Sequence, residues 1–136
     1  MKITKATVAG FTLVEIMIVV AIISVLAGIA IPSFFRARKR SQCTRILQDL
    51  RIVDNAQDQY AIENNKMTGN PVGWTDIQQY IKNGTVPWFS NGCDLFGNPY
   101  NQGNGFSVDN VPKLNPLTYQ MVSDVAPASF WSPYYP

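Results

Sequence analysis

The apolar positions of this chain fall into three successive patterns. From residue 10 to 35, GFTLVEIMIVVAIISVLAGIAIPSFF, every position after Gly10 is apolar or small apart from one charge, Glu15. A segment without a polar face is covered on all sides, by lipid or by protein. As a helix, about 25 residues span about 37 Å, enough for a hydrocarbon core of roughly 30 Å. From residue 46 to 65 the pattern becomes one-sided. Ile46, Leu50, Val53, Ala56 and Tyr60 recur at steps of three and four, and Leu47 and Ala61 widen the stripe. Asp49, Asp54, Asp58 and Glu63 fall mostly off it, and Asp54 and Asp58, one turn apart, read as a solvated face. No Gly or Pro interrupts the chain between Pro32 and Lys66. The spacing predicts one helix from about Phe11 to Asn65, near 80 Å long at ~1.5 Å per residue. Its first half is a membrane or assembly segment, and its second half lies against a globular head.

Beyond Asn65 the pattern fragments. Thr68-Gly69-Asn70-Pro71 and Gly73 read as a loop. Thr75 reads as the cap of a short helix, TDIQQYIKNG, with Ile77, Tyr80 and Ile81 inward and Gly84 at its C-terminal end. Trp74 and Tyr80 are expected to dock on the long helix. TVPWF, 85–89, reads as a short extended piece. Turns are expected at Gly97-Asn98-Pro99 and Gly103-Asn104-Gly105, with an antiparallel hairpin pairing Pro99-Tyr100 with Phe106 to Val108. Asn115-Pro116 reads as the cap and first residue of a helix whose Leu117 and Met121 face the core. In the tail, SFWSPYYP, Phe130 and Trp131 are expected to strap the head, while Tyr134 and Tyr135 are open between core and contact surface.

Composition changes this picture little. The chain has 136 residues, 11 basic and 9 acidic, and no histidine. The missing histidine removes the commonest general base and metal ligand. There is no G-x-S-x-G, no phosphate loop and no cleft-like pair of carboxylates, so no enzyme is expected. Cys43 and Cys93 are too few and too far apart for a zinc site. Bridged, they would close a loop of about 50 residues, worth ~4 kcal/mol in the chain-entropy model. The alternative is two unpaired thiols. The basic cluster Arg36, Arg38, Lys39, Arg40 and Arg45 reads as a solvated membrane flank, or as a surface that pairs with acids of neighbouring chains. Nucleic acid is a weaker partner for so short a cluster.

The carboxylate at Glu15 is the anomaly. An acid inside an apolar run is costly in lipid and marks function. It stands four residues after the first apolar residue, Phe11, which follows Gly10 and the basic leader MKITKATVAG. An ordinary secretory signal cleaved near Ala27-Gly28-Ile29-Ala30 would leave Glu15 unexplained, and its apolar run would be too long. The stretch GFTLVEIMIVVAIISVLAGIAIP resembles the class III signal of type IV pilins and of type II secretion pseudopilins. That resemblance implies a pilin-like α+β fold, with a long helical spine and a head of short helices and a small antiparallel sheet. It implies cleavage by a prepilin peptidase between Gly10 and Phe11, N-methylation of Phe11, and an assembly role for Glu15. Gly28 and Pro32 stand four apart, so Pro32 removes a backbone bond from Gly28 and makes a weak point in the helix.

The parts implied are a leader, 1–10, that is removed; an apolar half-helix, 11–35; an amphipathic half-helix, 36–65; and a head, 66–136. A second stretch, DLFGNPY, is similar to a signature of the major pseudopilin. There Asp94 and Asn98 are turn formers, and Phe96 and Tyr100 are core. The family's major pseudopilins often carry calcium in a later loop. Here only Asp109, Asn110 and Asp124 are candidates, against six or more oxygens needed, so no cofactor is expected. The implied partners are other copies, related pilins, the peptidase, an inner-membrane platform and an ATPase. The implied place is the inner membrane with the head in the periplasm, and then the filament. A secretion pseudopilus is the favoured reading. The rivals are a type IV pilus for adhesion, motility or DNA uptake, and a minor pilin acting as a binding module.

Overall fold

A computed structural model of the chain describes residues 10–136. The leader before Gly10, with Lys2 and Lys5, lies outside the described residues. The architecture is α+β: one long helix, several short helical turns and a two-stranded antiparallel sheet. Helix α1 spans Leu13–Glu63. Its C-terminus is closed by Asn65 in the left-handed conformation (φ 48°). The Lys66 N–H then reaches back to the Ala61 carbonyl at 3.0 Å, which satisfies an end carbonyl as in a Schellman motif. The chain divides after Arg36 into two compact units, the second being Ala37–Pro136.

The second unit has a single core. From α1 it takes Cys43, Ile46, Leu50, Val53 and Ala56, the stripe that periodicity predicts; Tyr60, Leu47 and Ala61 pack at its margin. Strands β1 (Pro71–Val72) and β2 (Phe106–Ser107) pair antiparallel, with Val72 opposite Phe106. Gln57 of α1 joins this sheet to the long helix. Its side-chain amide donates to the Ser107 carbonyl at 3.1 Å and the Asn110 carbonyl at 3.3 Å. Trp131 is fully buried, with its indole N–H on the Ala126 carbonyl at 3.2 Å.

Several expectations about the head need correction. The partner of β2 is β1, not Pro99-Tyr100. Pro99 makes only an isolated bridge with Cys93, and residues 100–103 wind into a 3-10 turn. Asn101 and Gln102 both carry positive φ there, which no continuing strand accepts. The residues expected to extend through TVPWF instead form helix α3, Val86–Phe89. Pro87 sits in its first turn, where a missing N–H costs nothing. Helix α2, Trp74–Ile77, is capped at Gly73 rather than Thr75: the Asp76 carboxylate accepts the Gly73 N–H at 2.8 Å. A 3-10 turn, Gln78–Tyr80, follows.

Helix α4, Pro116–Val122, is capped as expected, with Asn115 Oδ1 accepting the Leu117 N–H at 3.0 Å. Its inward face, however, carries Thr118 and Val122, while Leu117 is 59% exposed and Met121 49%. Phe130 is half-buried and stacks edge-on against Trp131, as a strap requires. Tyr134 is buried too, and Tyr135 is exposed, its ring against Tyr119 at 5.1 Å. Tyr80 docks on α1 through Tyr60 and through a 2.6 Å bond from its hydroxyl to Glu63. Trp74 packs against Phe106 and over Gly92 instead, where an added Cβ would come within 2.9 Å of the indole.

Candidate functional site

The site begins where α1 begins. Thr12 is the N-cap and Glu15 the third helical residue. The Thr12 hydroxyl oxygen accepts the Glu15 N–H at 3.3 Å. In return, Glu15 Oε2 accepts the Thr12 N–H at 2.9 Å and the Thr12 hydroxyl at 2.8 Å. This reciprocal capping box satisfies donors that a helix start otherwise leaves orphaned. It also fixes the carboxylate at the Thr12 N–H, one peptide beyond Phe11, and leaves Oε1 without a partner among the described residues. The cap is legible as T-L-V-E once Thr12 is read as a cap rather than as a hydroxyl in an apolar run. Phe11 is 81% exposed, and nothing lies within 4 Å of a Cβ built on Gly10.

From Leu13 to Arg36 no residue is buried, although the most apolar 18-residue window of α1 has a mean hydropathy of 2.8. The segment is long and apolar enough to cross a membrane. Its hydroxyls are satisfied locally: Ser24 donates to the Val20 carbonyl at 2.8 Å and Ser33 to that of Ile29 at 3.4 Å. Pro32 lies inside α1, and the space around Gly28 is open.

Cys43 and Cys93, the candidate disulfide pair, are free thiols, and burial pushes both above the usual thiol range. Of the basic cluster, Lys39 pairs with Asp124 of its own head. The oxygens weighed for calcium have partners within the chain. Asp124 faces Lys39, Asp109 accepts from Thr68, and the Asn110 amide donates to Ser107. Among the described residues no group of three or more His, Cys, Asp or Glu could hold a metal ion.

Asp49 is buried on α1, 5% exposed, which the apolar spacing does not show. Burial pushes its carboxyl up to about 6 against the opposing pull of Arg45, and its Oδ2 has no hydrogen-bond partner. Asp54 is half-buried, accepts the Tyr134 hydroxyl at 3.0 Å, and is likewise raised by burial. The DLFGNPY stretch is a staple. Asp94 Oδ1 accepts the N–H groups of Phe96 (2.8 Å) and Asn98 (3.0 Å), its other oxygen accepts the Thr118 hydroxyl, and the Asn98 amide donates to Thr118 at 2.9 Å. The stretch thus ties its own turn to α4.

Comparison with known proteins points to the same end of the chain. The family described as the prokaryotic N-terminal methylation motif matches residues 5–31. The chain is 34% identical over 126 residues to the type IV major fimbrial protein FimA of Dichelobacter nodosus, covering 81% of this chain and 76% of that one. It is 27% identical over 124 residues to the type II secretion system core protein G of Klebsiella pneumoniae, covering 78% and 89%. The type IV wide pilus major component of Thermus thermophilus is 44% identical over 61 residues, 45% of this chain and 47% of that protein, so the match spans about half of each. No solved structure matches the chain.

Proposed function

The chain belongs to the family of type IV pilins and type II secretion pseudopilins, and we propose that it is a structural subunit whose work is assembly, cleaved between Gly10 and Phe11 and N-methylated on Phe11. The observation that carries this reading is the uncovered first half of α1. An apolar helix with no residue buried in its own chain needs a cover, first lipid and then other copies. Glu15 is the acid that steers the exchange. Its Oε2 is held by Thr12, and its open Oε1 is available to the Phe11 amine of a neighbouring copy. Pairing there relieves a carboxylate that lipid penalises. The joint between Gly28 and Pro32 is where α1 unwinds as copies pack.

Before assembly the chain is a single-pass inner-membrane protein with its head in the periplasm. A prepilin peptidase, an assembly platform and an ATPase are its partners, and its role is structural rather than catalytic. The filament is a type II secretion pseudopilus that helps to move proteins across the outer membrane. The DLFGNPY turn and the similarity to a core protein G along most of that protein's length support this reading. A surface type IV pilus is the second reading, favoured by the 34% identity to a fimbrial protein. Deleting the gene separates them: a pseudopilin null accumulates exoproteins in the periplasm, while a pilin null loses sheared surface filaments and keeps secretion. The assembly reading is tested by Glu15→Ala, which is expected to leave processing intact and to abolish incorporation into filaments. Normal incorporation would sink it.

A further inference from the structure

Beyond Arg36 the second unit keeps nearly all its large apolar side chains inside. Among the described residues the exposed ones are Ile62, Met67, Leu117, Met121 and Tyr135. Tyr135 rests against Tyr119 of its own chain at mid-height, next to Tyr134, which bonds Asp54. The other four fall into two pairs at opposite ends of the unit. Helix α4 runs antiparallel to α1: Thr118 bonds Asp94, whose charge acts on Asp49, while Asp124, just past the end of α4, pairs with Lys39. Leu117 and Met121, one turn apart on the outward side of α4, therefore stand between the levels of Asp49 and Lys39, towards the start of the unit. Ile62 lies in the last turn of α1, and Met67 follows the bond that returns Lys66 to Ala61. Asp49 and Lys39 precede Ile62 by 13 and 23 residues, so the pairs are roughly 20–35 Å apart along the helix. Beside Leu117 opens a groove of about 440 Å³, lined by Asn98, Pro99, Gln102, Asn115 and Pro116 as well.

The two ends differ in charge. At the lower end Arg38, Lys39, Arg40 and Arg45 stand against Asp124. At the upper end Asp58, Glu63 and Asp109, the last tied to Thr68, stand against Lys66. Asp76 and Lys82, one of each sign, flank the Tyr80 that bonds Glu63 and leave that balance unchanged. Arg51, Asp54 and Lys113 gather around the tail at mid-height, and Asp49 and Asp94 are buried. The unit thus has a basic lower end and an acidic upper end, each with an exposed apolar pair.

We propose that the upper end of one copy docks on the lower end of a second, parallel copy, with Ile62 and Met67 of the first covered by Leu117, Met121 and the adjoining groove of the second. The proposal rests on the filament reading and deepens it by naming a contact between heads. Burying both apolar pairs together removes the exposed surface that each leaves in an isolated copy. Opposite charge at the two ends favours this orientation over like end on like end. The two patches differ, so the contact does not close into a pair. Each copy keeps one free end, and the arrangement propagates, as an open filament requires.

The test uses the full-length chain in its own cells and reads the amount in sheared or extracted filaments against the amount in the membrane. Ile62→Gln and Leu117→Gln change exposed side chains and are each expected to lower incorporation about fivefold or more, while the thermal unfolding of the solubilised chain stays in place. Leu117→Met is expected to incorporate as wild type. The geometry is read by cross-linking filaments with a short bis-maleimide in a Cys93→Ser background, where Cys43 has no exposed surface to react. Ile62→Cys with Met121→Cys, or Met67→Cys with Leu117→Cys, is expected to give a ladder of dimers, trimers and longer products. Chains with one of these cysteines are expected to remain monomers, and a mixture of two such chains to stop at dimers. Dimers from a single-cysteine chain would overturn the head-to-tail orientation. Filaments without a ladder from either pair, or normal incorporation of both glutamine variants, would overturn the contact. Loss of Leu117→Gln from the membrane itself would give the lower pair to lipid and overturn it too. Absence of filaments in wild type under the same preparation would remove the filament reading instead.

Discussion

Up to Arg36, α1 buries no side chain within its own chain; beyond Ala37 the same helix buries Cys43, Ile46 and Leu50 without residual exposure. The first stretch is the more apolar, yet its hydrophobic surface contributes nothing to internal stability. The second has a stripe of apolar residues and a full set of partners. Hydrophobic content alone therefore does not say where the stabilising contacts lie. The head is stabilised by its own core, and the first half of α1 by whatever surrounds it, so mutations in the two regions have different readouts.

The largest expected effect is in the head. Trp131→Ala removes its largest fully buried side chain and is expected to cost about 3–5 kcal/mol in thermal unfolding of the detergent-solubilised chain. Ile22→Ala, at a position 55% exposed, is expected to leave that transition where it is. A matching loss from Ile22→Ala would erase the distinction between the regions.

Asp49→Asn sharpens the comparison in the opposite direction. A carboxyl raised from 3.8 to about 6 binds its proton more tightly in the folded head than in the unfolded chain. Its contribution is fully present below pH 4, is lost as the pH rises towards 6, and is flat above. Asp49→Asn is expected to raise stability at pH 7 by about 2 kcal/mol, less than the shift alone implies because the amide is buried too, and to flatten that slope. A destabilised variant at pH 7 would show that the charged form is wanted. Thr118→Val strips Asp94 and Asn98 of a buried partner and is expected to cost about 2 kcal/mol. Smallest is Tyr134→Phe, expected to cost about 1 kcal/mol by removing the bond to Asp54.

How much of this was legible follows from where the information lies. The stripe on α1 is a local repeat, so Ile46, Leu50, Val53 and Ala56 could be placed from spacing alone. The inner face of α4 could not. Spacing favours Leu117 and Met121, but the face is chosen by Thr118, whose hydroxyl is wanted by Asp94 from 24 residues away. The sheet failed for a related reason. Phe106 has a plausible partner nearby in Tyr100, and the observed partner, Val72, is reached only through Gln57 and the loop at Gly69. Asp49 lies off the regular stripe, yet it stands one residue before the core residue Leu50 and is buried with it. At the N-terminus, Gly10, Phe11 and Glu15 stand within six residues of one another, so the resemblance that groups them needs no tertiary contact. The capping role of Thr12 is equally local, and a reading that treats the run only as a membrane segment passes over it.

The measurement that bears most directly on assembly through α1 is the mass of the chain recovered from purified filaments. The account predicts a chain that begins at Phe11, carries one methyl group on its amine, and is lost from filaments when Glu15 is replaced by Ala. Filaments containing the chain with its leader still attached, or with Glu15→Ala incorporated as well as wild type, would contradict it.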